Sequence, residues 1–486
     1  MQKYIKAVLL LLLAATPIVL ILMLFSSEVL TPDMPDDPNY AIEDTESQEI
    51  NFGDTEVETA GDAEYIPQVT ILRLGGMWIP FYMILEIEQF NRDNRGEYRI
   101  EVTELFGWQN VALGGSAEHV DVEQRIRQEG FDIVYLNVFE PRSFAEGSFS
   151  WTDLYARIDS DPELNRTDFF QSVLAANEAP DGTLPIVATN FWIDTMIAQR
   201  ENAELITPLT FENLLRQLRE PPYPELLPSW NDWLLTSAAL DGFGNNFFDM
   251  DNGWVNFQND DFVKLLELMN YIPRFPFEEV EDGYLSEVLQ TFRENDMENF
   301  LNGDMLMYPF NMGSPVDFQI HRAVFGDIVA VGHPFVAGGR HIIRQHTGVG
   351  INAQSQHQDA AWNFVRQTLL PSHRVTFHIP MRIDLFEEHI NGLMRELVRD
   401  GVELARTVEW WSAGYSQDVY IYSMTEDEAQ IVREIIESAV PMHIADVRWE
   451  IYDIIWEELN VFLETEQTAE ETAAIIQARV EEFLGS

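Results

Sequence analysis

Residues 69–76 read VTILRLGG, residues 98–105 read YRIEVTEL and residues 131–136 read FDIVYL. The first and third are short apolar runs and the second alternates Ile100, Val102 and Leu105 with charged residues, so all three read as strands, the first spanning 69–74 and closed by Gly75-Gly76. Between the first two, Phe81, Leu85, Ile87 and Phe90 recur at helical spacing. A second helical stretch, including residues 122–127, precedes FDIVYL. The order β-α-β-α-β implies an α/β fold with a parallel sheet flanked by helices. Ligands of such sheets lie beyond the carboxyl ends of the strands. That rule singles out Gly76 and Trp78 after the first strand, Trp108 and Gln109 after the second, and Asn137 and Glu140 after the third. A strand-end tryptophan or asparagine also serves purely structural ends, so none is specific alone.

Upstream the character changes. Residues 7–25, AVLLLLLAATPIVLILMLF, form an uncharged stretch of nineteen residues, just long enough to cross a hydrocarbon core. Lys3 and Lys6 precede it, and Glu28, Asp33, Asp36 and Asp37 follow. The positive-inside rule then leaves residues 1–6 in the cytoplasm and exports everything after Phe25. A cleaved signal peptide is the alternative reading. Residues 26–66 hold thirteen Asp or Glu and no Lys or Arg, with little apolar periodicity. Such a segment buries too little to offset its ordering entropy and reads as a disordered acidic linker.

Downstream of residue 184 the sequence reads as an α-rich run, with helices at 211–219, 230–240, 261–271 and 284–301. A strand-like 349–351 precedes a helix at 359–369, and amphipathic helices at 426–438, 446–463 and 468–484 close the chain.

The net charge of −53 repels phosphate backbones and argues against nucleic acid as a partner. The absence of cysteine excludes disulfides, thiolate metal sites and a lipid-modified cysteine anchor. Seven of ten histidines fall between His321 and His378, but none forms an H-E-x-x-H or tight i, i+4 pair, so no metal or cofactor is expected. No nucleophile elbow, Walker loop or dinucleotide fingerprint occurs, so no catalytic residue is assigned. With 82 acidic residues, a carboxylate pair for glycoside hydrolysis stays open as an alternative.

The order of several weak motifs resembles one family, the bacterial extracellular solute-binding proteins of the sugar-binding type. Glu129-Gly130-Phe131-Asp132-Ile133-Val134 is similar to its G-x-D-I strand, and Asp181-Gly182-Thr183-Leu184-Pro185 to its entry into the second lobe. Thr207-Pro208-Leu209-Thr210-Phe211-Glu212 resembles a helix start, with Thr210 as cap. Phe300-Leu301-Asn302-Gly303-Asp304-Met305, Gly348-Val349-Gly350-Ile351-Asn352, Asp359-Ala360-Ala361-Trp362-Asn363-Phe364 and His378-Ile379-Pro380-Met381-Arg382 follow in the family's order. The sequence departs from it in the missing lipobox cysteine, in Asp304 where a basic residue is usual, and in lacking a tryptophan near Gly313.

The resemblance implies a two-lobed periplasmic-binding-protein-like fold of type II, each lobe a mainly parallel sheet flanked by helices. The lobes would comprise 67–186 plus 347–395 and 188–346 plus 396–486. It implies a monomeric receptor, not an enzyme, that binds a small molecule, a sugar or oligosaccharide, in the cleft between lobes and delivers it to ABC permease subunits. A sensor on the same fold is a further alternative. Sugar rings need aromatic plates and polar rims. The resemblance therefore adds Trp230, Trp233, Trp410, Trp411 and Trp449 as plates, with Asn190 and Asn311 at the rim.

Overall fold

The computed structural model describes residues 69–76, 79–105, 126, 128–137, 150–179, 181–219, 225–228, 247–249, 254–273, 285–334, 339–370, 378–395, 398–399, 402–412, 415–441 and 449–485. The expected anchor at 7–25 and linker at 26–66 lie outside them. Among the described residues no helix is long and apolar enough to cross a membrane.

Strand β1 (Thr70–Gly76) leads into helix α1 (Phe81–Asp93), which returns the chain to β2 (Tyr98–Glu104) and then β3 (Ile133–Asn137). Both β2 and β3 pair with β1 in parallel. Gly75 lies within β1, paired with Thr103 and Val134, and its position needs glycine because a Cβ there would stand 2.6 Å from the Phe131 ring. The first strand thus runs through both glycines rather than ending before them.

The next strand, β4 (Ile186–Gln199), is 14 residues long and nearly all buried. Beyond it come β5 (Phe248–Asp249), β6 (Trp254–Val255), β7 (Tyr308–Met312), β8 (Ile328–Ala330) and β9 (Ile342–Ile351). The rest are β10 (Ile379–Pro380), β11 (Val398–Arg399), β12 (Val402–Glu403), β13 (Arg406–Ser412), β14 (Tyr415–Ile421) and β15 (Val440–Pro441). Among the described residues nine strands form one sheet, ordered β10-β4-β9-β3-β1-β2, with β7 and β8 on β4 and β15 on β9.

This sheet is mixed, not mainly parallel. The pairs β3–β9, β4–β9, β4–β10, β4–β7 and β4–β8 are antiparallel, and only β1–β2, β1–β3 and β9–β15 are parallel. The cause is that β4 and β9 run past one another in opposite directions along the whole sheet. The first part of β4 pairs with β9 beside β3, whereas its second part pairs with the start of β9, with β7 and with β8. The α-rich stretch expected beyond residue 184 therefore opens with a long central strand.

Two large apolar clusters flank the sheet. One joins α1, β1, β3, β4, β7, α5 (Pro315–Phe325), α6 (Gln358–Leu369) and α7 (Glu426–Ser438). The other gathers α2 (Phe211–Arg219), α3 (Asp260–Met269), α8 (Trp449–Glu464) and α9 (Ala469–Gly485) around Met196, Leu306 and Met307. Helix α4 (Leu285–Asn302) sends Phe300 into the first cluster. The expected helices at 211–219, 359–369 and 426–438 coincide with α2, α6 and α7 to within one residue. The one at 230–240 lies outside the described residues.

Candidate functional site

Where β4 passes β9, the pairing slips. Ala188 faces Gly348, Asn190 faces Thr347 and Phe191 faces Gln345, with register shifts on both sides of Asn190. Bulges of this kind re-aim a side chain and cluster beside functional sites. The same level of the sheet carries the last residue of β3, since Asn137 pairs with Thr347, and the end of β10, since Pro380 pairs with Asn190. The carboxyl end of the parallel part thus meets the crossing strands here.

Four side chains from distant parts of the sequence gather at this level. Tyr82 stands in the first turn of α1, Tyr135 midway along β3, Asn190 at the slip and His378 just before β10. The Tyr82 and Tyr135 hydroxyls lie 2.9 Å apart, and Asn190 Nδ2 donates to Tyr82 Oη at 3.3 Å. The His378 ring meets the Tyr82 ring edge-on, with centroids 6.2 Å apart. Burial pushes the His378 imidazole down to about 4, so it is neutral at pH 7.

The end of β7 closes in from the other part of the sheet. The Ile379 N–H donates to the Gly313 carbonyl at 2.8 Å, bridging β10 and the β7–α5 turn. Asp317 Oδ2 accepts from the Gly313 and Ser314 N–H groups, at 2.8 Å each, at the start of α5. Burial pushes the Asp317 carboxyl up to about 6 against the opposing effect of those two bonds. The cluster offers phenol, amide and imidazole groups. Groups of this kind hold a polar ligand by hydrogen bonds and ring faces rather than by charge.

Of the residues expected to touch ligand, Asn190 and Asn137 share one row across Thr347, about 10 Å apart by strand spacing. Gly76 pairs with Tyr135, and a Cβ at Gly76 would meet Ile79 Cδ1 at 2.5 Å and the Tyr135 carbonyl at 3.1 Å. Its lack of a side chain is thereby explained by packing under the cluster. Asn311 is exposed on β7, opposite Asp194. Trp410 is only 4% exposed and packs edge-on against Phe325 and His321, with centroids 5.6 and 6.3 Å away. Its surroundings are core. Trp411 lies on β13 beside it and Trp449 opens α8. Trp78, Trp108, Gln109, Glu140, Trp230 and Trp233 lie outside the described residues. Sequence reading missed Tyr82, Tyr135 and His378. The only signal for them was local: a tyrosine in a helix's first turn, another within a short apolar strand, and a histidine before Ile379-Pro380.

Two long antiparallel strands thus cross beside a polar cluster within an α/β fold. Residues 160–366 match the family model described as bacterial extracellular solute-binding protein. No match was found among the curated proteins. Among solved structures, the sugar-binding protein MalE of Xanthomonas citri superposes with a TM-score of 0.54 at 16% identity, over 86% of this chain and 98% of that one. An extracellular solute-binding protein of family 1 from Alicyclobacillus acidocaldarius gives 0.54 at 12% identity, over 87% of this chain and 100% of that one. In sequence over its middle and in fold over most of its length, the chain is similar to bacterial extracellular solute-binding proteins.

Proposed function

We propose that this chain is an extracellular receptor that binds a carbohydrate or oligosaccharide and delivers it to the permease of an ABC importer. The observation that carries this reading is the uncharged cluster of Tyr82, Tyr135, Asn190 and His378 where β4 crosses β9. A sugar presents hydroxyls on its edges and C–H groups on its faces, and phenols, amides and imidazoles suit both. The fold shared with a sugar-binding protein adds support.

In this reading 67–186 plus 347–395 and 188–346 plus 396–486 are two lobes that close on the ligand, with β4 and β9 as two of their connections. Asn137, Asn190 and the tryptophans outside the described residues complete the cleft. Residues 7–25 hold the protein in the cell membrane as a single-pass anchor, and 26–66 space the lobes from the surface. A monomer is expected, because a net charge of −53 opposes self-association. The test is a thermal-unfolding screen of the purified chain against neutral glycans. A ligand of the folded state must raise the midpoint. If no glycan raises it while a peptide or a metal ion does, the ligand assignment falls.

A further inference from the structure

Asn190 is 6% exposed, and its Oδ1 is buried without a hydrogen-bond partner among the described residues. The other end of the same amide is engaged, Nδ2 donating to Tyr82 Oη at 3.3 Å. A buried carbonyl oxygen left unpaired lowers a folding equilibrium by about 5- to 150-fold. Leucine has nearly the same shape and carries no such penalty. Buried polar atoms without partners are rare in folded proteins and call for a reason. Here the reason is not secondary structure, because the side chain sits at a double slip in the β4–β9 ladder. A local need of the slip would engage the oxygen, and no described residue does.

We propose that Asn190 Oδ1 is reserved for a hydroxyl donated by the ligand, and that Tyr82 is the positioning residue that keeps the amide turned that way. This deepens the carbohydrate reading and rests on it. An amide oxygen only accepts. The group that reaches it must therefore carry a proton, which a sugar hydroxyl does and an ionised carboxylate or phosphate does not. Tyr82 Oη, held 2.9 Å from the Tyr135 hydroxyl, gives the Nδ2 end its acceptor. With that acceptor gone, the amide can rotate and present either end, and the preference for a donor weakens. The site thus selects a neutral, hydroxyl-bearing ligand over one whose matching position is deoxygenated or anionic.

The experiment uses the full chain and three variants, Asn190→Leu, Tyr82→Phe and the pair together. The probe is whichever of maltotriose, xylotriose and raffinose the wild type binds in titration calorimetry. Without sugar, Asn190→Leu is expected to keep or raise the unfolding midpoint, since it removes an unpaired buried oxygen. With sugar, it is expected to weaken binding by about 5- to 150-fold. Tyr82→Phe is expected to weaken binding less, and to add nothing once Asn190 is leucine. A midpoint several degrees lower in Asn190→Leu with unchanged affinity makes Asn190 structural and overturns the assignment. Equal losses from Tyr82→Phe in both backgrounds overturn the positioning role. If the wild type binds none of the three sugars, the carbohydrate reading fails and the assignment with it. Wild-type binding that survives intact in Asn190→Leu sinks the assignment alone.

Discussion

Gly350→Ala probes the crossing of the two long strands. Gly350 pairs with Val134 on one side and Ile186 on the other, so it sits where β9 joins β3 to β4. A Cβ there would lie 2.3 Å from Trp151 Cζ3, 2.7 Å from Cε3 and 2.9 Å from the Pro185 carbonyl, where ordinary contact begins at 3.4 Å. The indole has little room to yield. Its backbone bridges to Asn352, and the Thr152 and Ala353 N–H groups are tied to Ile351 and Ser150 at 2.9 and 2.8 Å. Overpacking of this kind costs about 1–3 kcal/mol. For the roughly 320 described residues the unfolding entropy is near 0.7 kcal/mol per degree, so the midpoint should fall by about 1.5–4.5 °C. Trp151→Leu in the same chain should recover part of the loss, with a coupling of about 0.5–3 kcal/mol in a double-mutant cycle. Calorimetric unfolding of the four proteins reads both quantities. Strictly additive losses would refute the packing argument, as would an alanine variant as stable as the wild type.

Two further perturbations test the electrostatic reading. Thr195 is wholly buried, and its hydroxyl lies 2.7 Å from His341 Nδ1. Thr195→Val should destabilise by about 1–3 kcal/mol in urea unfolding, and a neutral result would mean the imidazole finds another partner. Burial holds His321, His341 and His378 down to about 4, well below free imidazole. As pH falls from 6.5 towards 4 the unfolded chain takes up three protons that these groups refuse, so stability falls over that window. Asp317, pushed up to about 6, acts oppositely, because its native form takes a proton before the unfolded one does. From these four groups together, unfolding near pH 5 takes up about two protons, measured as the pH dependence of the urea midpoint. A midpoint that stays level or climbs between pH 6.5 and 5 would contradict it.

The sequence revealed the βαβαβ start because β2 alternates and α1 keeps helical spacing, both local signals. It hid β4 because that strand is buried on both faces, so its apolar residues run on without period two. Only the last three residues of β9 were visible, since Arg344-Gln345-His346-Thr347 breaks the apolar pattern in its middle. With the two long antiparallel strands concealed, the sheet looked more parallel than it is. The site was harder still. The resemblance points to Asn190 as a rim residue, but Tyr82, Tyr135 and His378 come together only through the sheet's lateral order. Tryptophan content pointed to rings as such, yet Trp410 serves the core beneath α5 and β13.

The most direct trial of the receptor account is calorimetric titration of the purified chain with neutral oligosaccharides, followed by chromatography of the sugar recovered from the cell. Saturable binding at one site per chain, with every molecule of sugar returned unaltered, is the predicted result. Heat that never saturates for any saccharide, or recovery of shortened sugars, would contradict it.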